Sequence, residues 1–165
     1  MTVRRATPAD AEELTRLRLQ MFHDLGEEHL PAELADRCLA AFTRRLRADE
    51  DFAAFVIDAG PPPPAGGPRL LSAGAGWVET RLPGPHRPDG RTGHIQSMCT
   101  DPTARGRGHG RTVFAALLEF LVARGARKIE LHATDAGVRL YASFGFVPEG
   151  NAMALRVPSA SLISS

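Results

Sequence analysis

Asp101-Pro102-Thr103-Ala104-Arg105-Gly106-Arg107-Gly108-His109-Gly110 is the stretch on which the reading of this chain turns. Glycines stand at three alternate positions, with arginines between and after them. Glycine lets a backbone adopt positive φ and approach an anion closely. A helix starting at His109 points its first N–H groups and the positive end of its dipole into the loop. Arg105, Arg107 and Arg111 add cationic side chains. The stretch therefore reads as a phosphate cradle rather than a solvated surface turn. A Walker loop would need Gly-Lys-Ser/Thr, which is absent, and a dinucleotide loop would need Gly-x-Gly-x-x-Gly after the first strand of a doubly wound sheet.

Working outward, His94 to Thr100 reads as a strand, His109 to Arg124 as a helix closed by Gly125, and Lys128 to Ala133 as another strand. This is a strand-helix-strand crossover, so the two strands are expected to run parallel. The helix carries Val113, Phe114, Leu117, Leu118, Phe120, Leu121 and Val122. That apolar face is too wide for a surface helix and belongs against a sheet. Downstream, a short helix from Ala136 to Phe144 ends at Gly145, and Phe146-Val147 with Ala152 to Val157 supply closing strand material.

Upstream, residues from about Thr2 to Ala6 form a short strand, and Thr7-Pro8-Ala9-Asp10 supplies an N-cap, a proline at the first helical position and an early acid. Leu14, Leu17, Met21 and Leu25 keep helical spacing down to Gly26. A second helix begins near Pro31, with a stripe of Leu34, Cys38, Phe42 and Leu46. Phe52 to Ala59 and Arg69 to Arg81 are strands joined by the proline-rich run from Pro61 to Pro68, an exposed hairpin tip. A second irregular loop spans Leu82 to Gly93.

Two motifs now carry a resemblance. Arg105, Gly108 and Gly110 match the Gln/Arg-x-x-Gly-x-Gly/Ala signature of the GNAT superfamily of N-acetyltransferases, and Leu140-Tyr141-Ala142-Ser143-Phe144-Gly145-Phe146 resembles its Leu-Tyr-x-x-x-Gly-Phe. The element order resembles that fold over nearly the whole chain. The resemblance implies an α/β fold with a mixed central sheet and flanking helices, in one domain over residues 1–157 followed by a flexible tail, 158–165. It implies that the fourth and fifth strands splay apart around the pantetheine arm of acetyl-CoA, with backbone groups of Met98, Cys99 and Thr100 pairing with the arm as an added peptide strand would. Residues Arg105, Gly106, Arg107, Gly108, His109, Gly110 and Arg111 would hold the pyrophosphate. Tyr141 resembles the family's general acid, suited to protonating the departing CoA thiolate. Thr134 stands seven residues before Tyr141, where members often have an asparagine that contacts the CoA arm; a hydroxyl replaces one amide contact but not both.

The proton acceptor for the amine is less marked. Glu79, His94 and His132 are the candidates, with Glu79 placed first, although strand alternation leaves open which face each takes. Cys99 reads as a buried cysteine rather than an acyl-accepting nucleophile, because no motif sets a histidine beside it. Asp24, Glu27 and Glu28, at the join of the first two helices, could attract a cationic amine or form a solvated acidic loop.

Composition bounds the rest. The chain has 165 residues, with 43% hydrophobic and 24% charged, and a formal net charge of +1. That suits one globular domain and gives no basis for wholesale nucleic-acid or anionic-membrane binding. The segment from Arg105 to Gly108 lacks the interleaved aromatics of a nucleic-acid binder. Cys38 and Cys99 form neither a disulfide framework nor a metal set, so no metal and a reducing cytoplasm are expected. The N-terminus runs into a capped helix without an apolar signal core, and no stretch is long and apolar enough to span a bilayer.

The expected function is direct acyl transfer, acetyl in the first instance, from acyl-CoA to a primary amine of a small molecule or of a protein terminus. A larger donor such as succinyl would use the same cradle. A catalytically silent acyl-CoA sensor with this fold is the alternative, compatible with Thr134 but opposed by Tyr141. The sequence is compatible with a homodimer and does not encode the acceptor legibly.

Overall fold

The 11 residues from Leu70 to Thr80 form β3, the spine on which the other elements are laid. A computed structural model describes residues 1–61, 65 and 67–158. In it β1 (Val3–Arg5), β2 (Phe52–Asp58), β3, β4 (Arg91–Thr100) and β5 (Lys128–Leu131) make one five-stranded sheet in that order. Its first three pairings are antiparallel and β4–β5 is parallel. The sheet is therefore mixed, as expected, and the parallel pair is joined through α3 (His109–Ala123).

Alternation along the strands divides the core between two faces. On one side Leu14 and Leu17 of α1 (Ala11–Asp24) and Phe42 of α2 (Leu34–Ala48) pack with Phe52, Ala54, Val56, Ala73 and Ala75. On the other, α3 buries Val113, Phe114, Leu117 and Leu121 against the sheet. Gly74 and Gly76 lie beneath this helix, and a Cβ at Gly76 would come within 3.4 Å of Leu117 Cδ2.

Element ends moved by a few residues. A 3-10 turn over Pro8–Asp10 precedes α1, with the Asp10 carboxylate accepting the Thr7 N–H at 2.8 Å and Arg4 at 2.9 Å. A turn in which Leu34 N–H donates to the Pro31 carbonyl at 3.0 Å delays α2 to Leu34. Strand β4 starts at Arg91, inside the expected 82–93 loop; Thr92 and Gly93 pair with Glu79 and Val78, and their polar or absent side chains hid a buried strand. The last helix, α4, is shorter than expected, Val138–Ser143.

The closing strand material is a correction. Neither Phe146-Val147 nor Ala152 to Val157 enters a ladder among the described residues. The Phe146 N–H instead donates to the Tyr141 carbonyl at 3.1 Å, closing α4. Met153 and Leu155 are exposed, and alternation in sequence cannot supply the neighbouring backbone that a strand needs. Residues 159–165 of the expected tail, and Pro62, Pro63, Pro64 and Gly66 of the proline-rich tip, lie outside the described residues.

The chain packs as two compact units, one over Met1–His132 and one from Ala133 onward. The first holds the sheet and α1 to α3, and the second holds α4. Among the described residues, no helix is long and apolar enough to cross a membrane.

Candidate functional site

The β3–β4 register sets the centre of the site. Ala75 pairs with Gln96 and Ala73 with Cys99, so Ser97 and Met98 together stand opposite Gly74. This is a β-bulge, which bends the strand carrying the extra residue. Ser97 takes φ 59, the left-handed region that a non-glycine residue adopts at a cost. A Cβ on Gly74 would lie 2.3 Å from Met98 Sδ and 2.9 Å from Leu117 Cδ1, so the bulge needs glycine opposite it.

The β4–β5 ladder ends with Ile95 opposite Leu131. Beyond it, residues 96–100 keep β3 on one side and have no ladder partner on the other among the described residues. Met98, Cys99 and Thr100, the expected backbone contacts of the donor, all lie on this half-open edge.

The glycine loop follows directly. Asp101 ends β4 and holds a 3-10 turn over Pro102–Ala104: its Oδ1 accepts from the Thr103 N–H at 3.0 Å and from Thr103 Oγ1 at 2.7 Å. Arg16 of α1 donates to its Oδ2 at 2.8 Å. Burial pushes the Asp101 carboxyl up, but the Thr103 and Arg16 bonds outweigh it and hold the group below the ordinary range. Gly106 has φ 75, and Gly108, the N-cap of α3, has φ 81. Nothing lies within 4 Å of where either Cβ would stand, so backbone conformation, not crowding, selects glycine here. The N–H groups of Gly106, Arg107, Gly108, His109 and Gly110 have no protein acceptor among the described residues, as a helix start dictates. Arg107 and Arg111 are exposed beside them. These open donors fit a diphosphate, and the free edge of β4 fits an extended, amide-bearing arm.

Arg105 behaves differently from its neighbours. Its Nε donates to the Thr100 carbonyl at 3.0 Å and its Nη2 bonds the Asp24 carboxylate, so it ties the loop to the end of α1. The same bond neutralises Asp24, one of the three acids at the helix join. Glu27 and Glu28 are exposed.

Cys99 is buried, and desolvation pushes its thiol up to about 11, so it stays protonated at neutral pH. Cys38 is likewise a free, buried cysteine.

In the second unit, the Thr134 carbonyl accepts from the N–H groups of Gly137 and Val138 at 2.9 and 3.1 Å, opening the turn into α4. Tyr141 lies on α4 with its ring 6.4 Å from that of Phe146. A Cβ on Gly137 would meet the Tyr141 ring at 2.7 Å, so a glycine makes room for the phenol. Burial pushes the Tyr141 hydroxyl above its ordinary range and keeps it a neutral donor.

Two of the three candidate proton acceptors meet. His94 Nε2 lies 2.9 Å from Glu79 Oε1, and its ring stacks on Trp77 at 5.3 Å between centroids. Arg81 bonds both the Glu79 and Glu130 carboxylates and lies 3.2 Å from His94 Nε2. The Arg81 hydrogen bond is the main reason the Glu79 carboxyl is held below the usual range. His132 is exposed beyond the end of β5. Among the described residues no group of three or more His, Cys, Asp or Glu side chains could hold a metal ion.

Sequence reasoning missed a cavity of about 240 Å³ on the α1–α2 side, lined by Arg18, Arg37, Arg45, Trp77, Gln96 and Ser97 among others. The signal lay in Arg37, Ala41 and Arg45, four residues apart on α2, and in the only tryptophan.

A family model described as Acetyltransferase (GNAT) family matches residues 72–146. The chain is 35% identical over 125 residues to "Probable glucosamine 6-phosphate N-acetyltransferase 2" of Oryza sativa subsp. japonica, covering 76% of this chain and 72% of that one. It is 38% identical over 87 residues to glucosamine 6-phosphate N-acetyltransferase 1 of the same organism, covering 53% of this chain and only 51% of that relative's length. A crystal structure of a predicted acetyltransferase with acetyl-CoA from Clostridium acetobutylicum superposes with a TM-score of 0.81 at 22% identity, over 94% of this chain and 95% of that one, and shows the same fold.

Proposed function

The chain belongs to the acetyltransferase (GNAT) family, and from that premise we propose that it transfers an acetyl group from acetyl-CoA directly to the primary amine of a small molecule, residues 1–157 acting as one domain. The observation that carries this reading is the half-open, bulged edge of β4 running into the positive-φ loop at the start of α3. Acetyl-CoA supplies an activated thioester carbonyl. The open donors at Gly106 to Gly110 bind its diphosphate, with Arg107 and Arg111 as the nearby charges. The free edge at Met98, Cys99 and Thr100 pairs with the arm and holds the thioester carbon against the acceptor. A backbone N–H of the bulge stabilises the oxyanion as the amine nitrogen bonds to that carbon.

Two protons then move. The amine loses one, and the sulfur gains one as the carbon–sulfur bond breaks. Tyr141, kept protonated by burial, is the donor to sulfur. Glu79 is the first candidate acceptor, but the bond from Arg81 lowers its carboxyl and makes the carboxylate a weaker base. We assign proton acceptance to His94 and the orienting of its ring to Glu79, which bonds His94 Nε2. By resemblance, Thr134 stands in sequence where family members often have an asparagine that contacts the arm. A reducing, cytoplasmic setting and a homodimer are both compatible with this reading; sedimentation of the purified protein reads the latter.

The test is thiol release from acetyl-CoA across a panel of small amines. The panel includes glucosamine 6-phosphate, the compound in the names of the two rice relatives. Amine-dependent release, absent after heat inactivation, supports the proposal. Saturable acetyl-CoA binding without turnover on any amine would instead leave an acyl-CoA sensor.

A further inference from the structure

The cavity on the α1–α2 side combines apolar walls with an excess of positive charge. Arg45 is bonded to Asp49 at 3.0 Å, and its Cζ lies over the Phe52 ring at 4.5 Å and the Trp77 ring at 4.8 Å. Arg18 lies over the Phe22 ring at 4.8 Å, and among the described residues neither Arg18 nor Arg37 is paired with a carboxylate. Two uncompensated guanidinium groups in one cavity are notable in a chain whose net charge is only +1.

We propose that this cavity takes an acceptor carrying an anionic group, a phosphate monoester or a carboxylate, on the same small molecule as its primary amine, and that Arg18 and Arg37 bind that anion. The inference rests on the acetyl-transfer reading for the identity of the amine, but the anion site stands on the cavity itself. Guanidinium presents a planar fork of donors that matches either anion two bonds at a time. Arg18 is half-buried against apolar walls, which reduce screening of its charge, while Arg37 is exposed at the cavity rim. The same field repels a bare monoamine or polyamine, which arrives protonated. Asp24 offers no counterweight, because Arg105 already holds it. Ser97, at the strained bulge, lines the same cavity, so the pocket reaches the strand segment proposed to hold the thioester.

Trp77 lines the cavity and is the chain's one tryptophan, so its fluorescence reports occupancy without any chemistry. We would titrate the full chain, free of acetyl-CoA, with 2-aminoethyl phosphate, 3-aminopropanoate, ethanolamine and inorganic phosphate. The expected result is a saturable change with the phosphate compound, the carboxylate compound or both, and none with ethanolamine. The compound that binds more tightly identifies which anion the acceptor carries. Affinity should fall about tenfold or more in Arg18→Gln and in Arg37→Gln, and recover in part in the lysine variants, which keep the charge and lose the fork. If wild type shows no saturable response to any of the anions, if the Arg18→Gln/Arg37→Gln double variant binds as wild type does, or if ethanolamine binds as tightly as the anions, the proposal is wrong. Failure of the acetyl-transfer reading would look different: anion binding would persist while thiol release stayed absent on every amine.

Discussion

Arg16 on α1 reaches Asp101 at 2.8 Å, joining the first helix to the residue from which the glycine loop springs. Asp101 is only 5% exposed and also closes the Thr103 turn, so one carboxylate sets where β4 ends and where the glycine loop begins. Replacing Asp101 by alanine should cost about 2–3 kcal/mol of folding stability, the size expected when charged hydrogen bonds are lost from a buried position. Urea unfolding measures this. Calorimetric titration with acetyl-CoA should show weaker binding in the same variant, because the loop loses its anchor.

Acid should unfold the protein in a predictable window. The Arg4 bond to Asp10 and the Arg124 bond to Asp51 hold those carboxyls below their ordinary range; Glu13 and Asp101 are also held low, by bonds that outweigh burial. Each folded-state value lies below its unfolded one, so the folded chain binds fewer protons. The stabilisation is fully present above the unfolded carboxyl range, at about pH 4, and disappears as pH falls from there through the lower folded values. Urea midpoints measured from pH 6 down to pH 3 should fall, and Asp10→Asn should show a smaller fall than wild type.

Gly108→Glu combines two faults. The left-handed backbone at φ 81 costs a side chain about 1–2 kcal/mol, and the new carboxylate stands where the diphosphate should bind. Acetyl-CoA binding should be lost while the sheet stays folded, which calorimetric titration alongside circular dichroism would read. Wild-type affinity in this variant would remove the cradle.

For Tyr141→Phe, the ring and its packing on Phe146 remain, and only the proton donor goes. Acetyl transfer should slow by roughly a hundredfold, the usual weight of a general acid, with acetyl-CoA affinity little changed. Unchanged kcat at every pH would withdraw the assignment.

His94 and Glu79 are separable by the size of their effects. His94→Gln should lower kcat by roughly a hundredfold, the usual weight of a general base, as read by steady-state turnover. Glu79→Gln should lower it less, because it removes the partner of the ring and not the proton acceptor. The opposite pattern would return the role to Glu79.

The conformation of the glycine loop was legible because its cause is local. Gly106 and Gly108 adopt positive φ, and the residues that follow form a helix whether or not the rest of the chain is known. The crossover from β4 through α3 to β5 was legible for a similar reason, since the apolar width of the helix implies a sheet beneath it. Strand β4 was misjudged at its start, where Thr92 and Gly93 are buried by neighbours that are distant in sequence. The Ala152 to Val157 segment failed in the other direction, having the alternation of a strand but no ladder among the described residues.

By itself, then, the amino-acid order determined the helices and strands as far as α4, the parallel crossover, the glycine loop and the motif that carries Tyr141, because turns, helix starts and amphipathic faces depend on residues a few positions apart. Only the tertiary structure decided that Ser97 and Met98 bulge against Gly74, that Arg105 is bound to Asp24, that Glu79 is held low beside His94, and that Arg18 and Arg37 share a cavity. Each of these is a pairing across the fold, between neighbouring strands, between two helices, or between a helix and a distant loop. Electrostatics and packing act through space, so such pairings exist only once the backbone has brought the partners together.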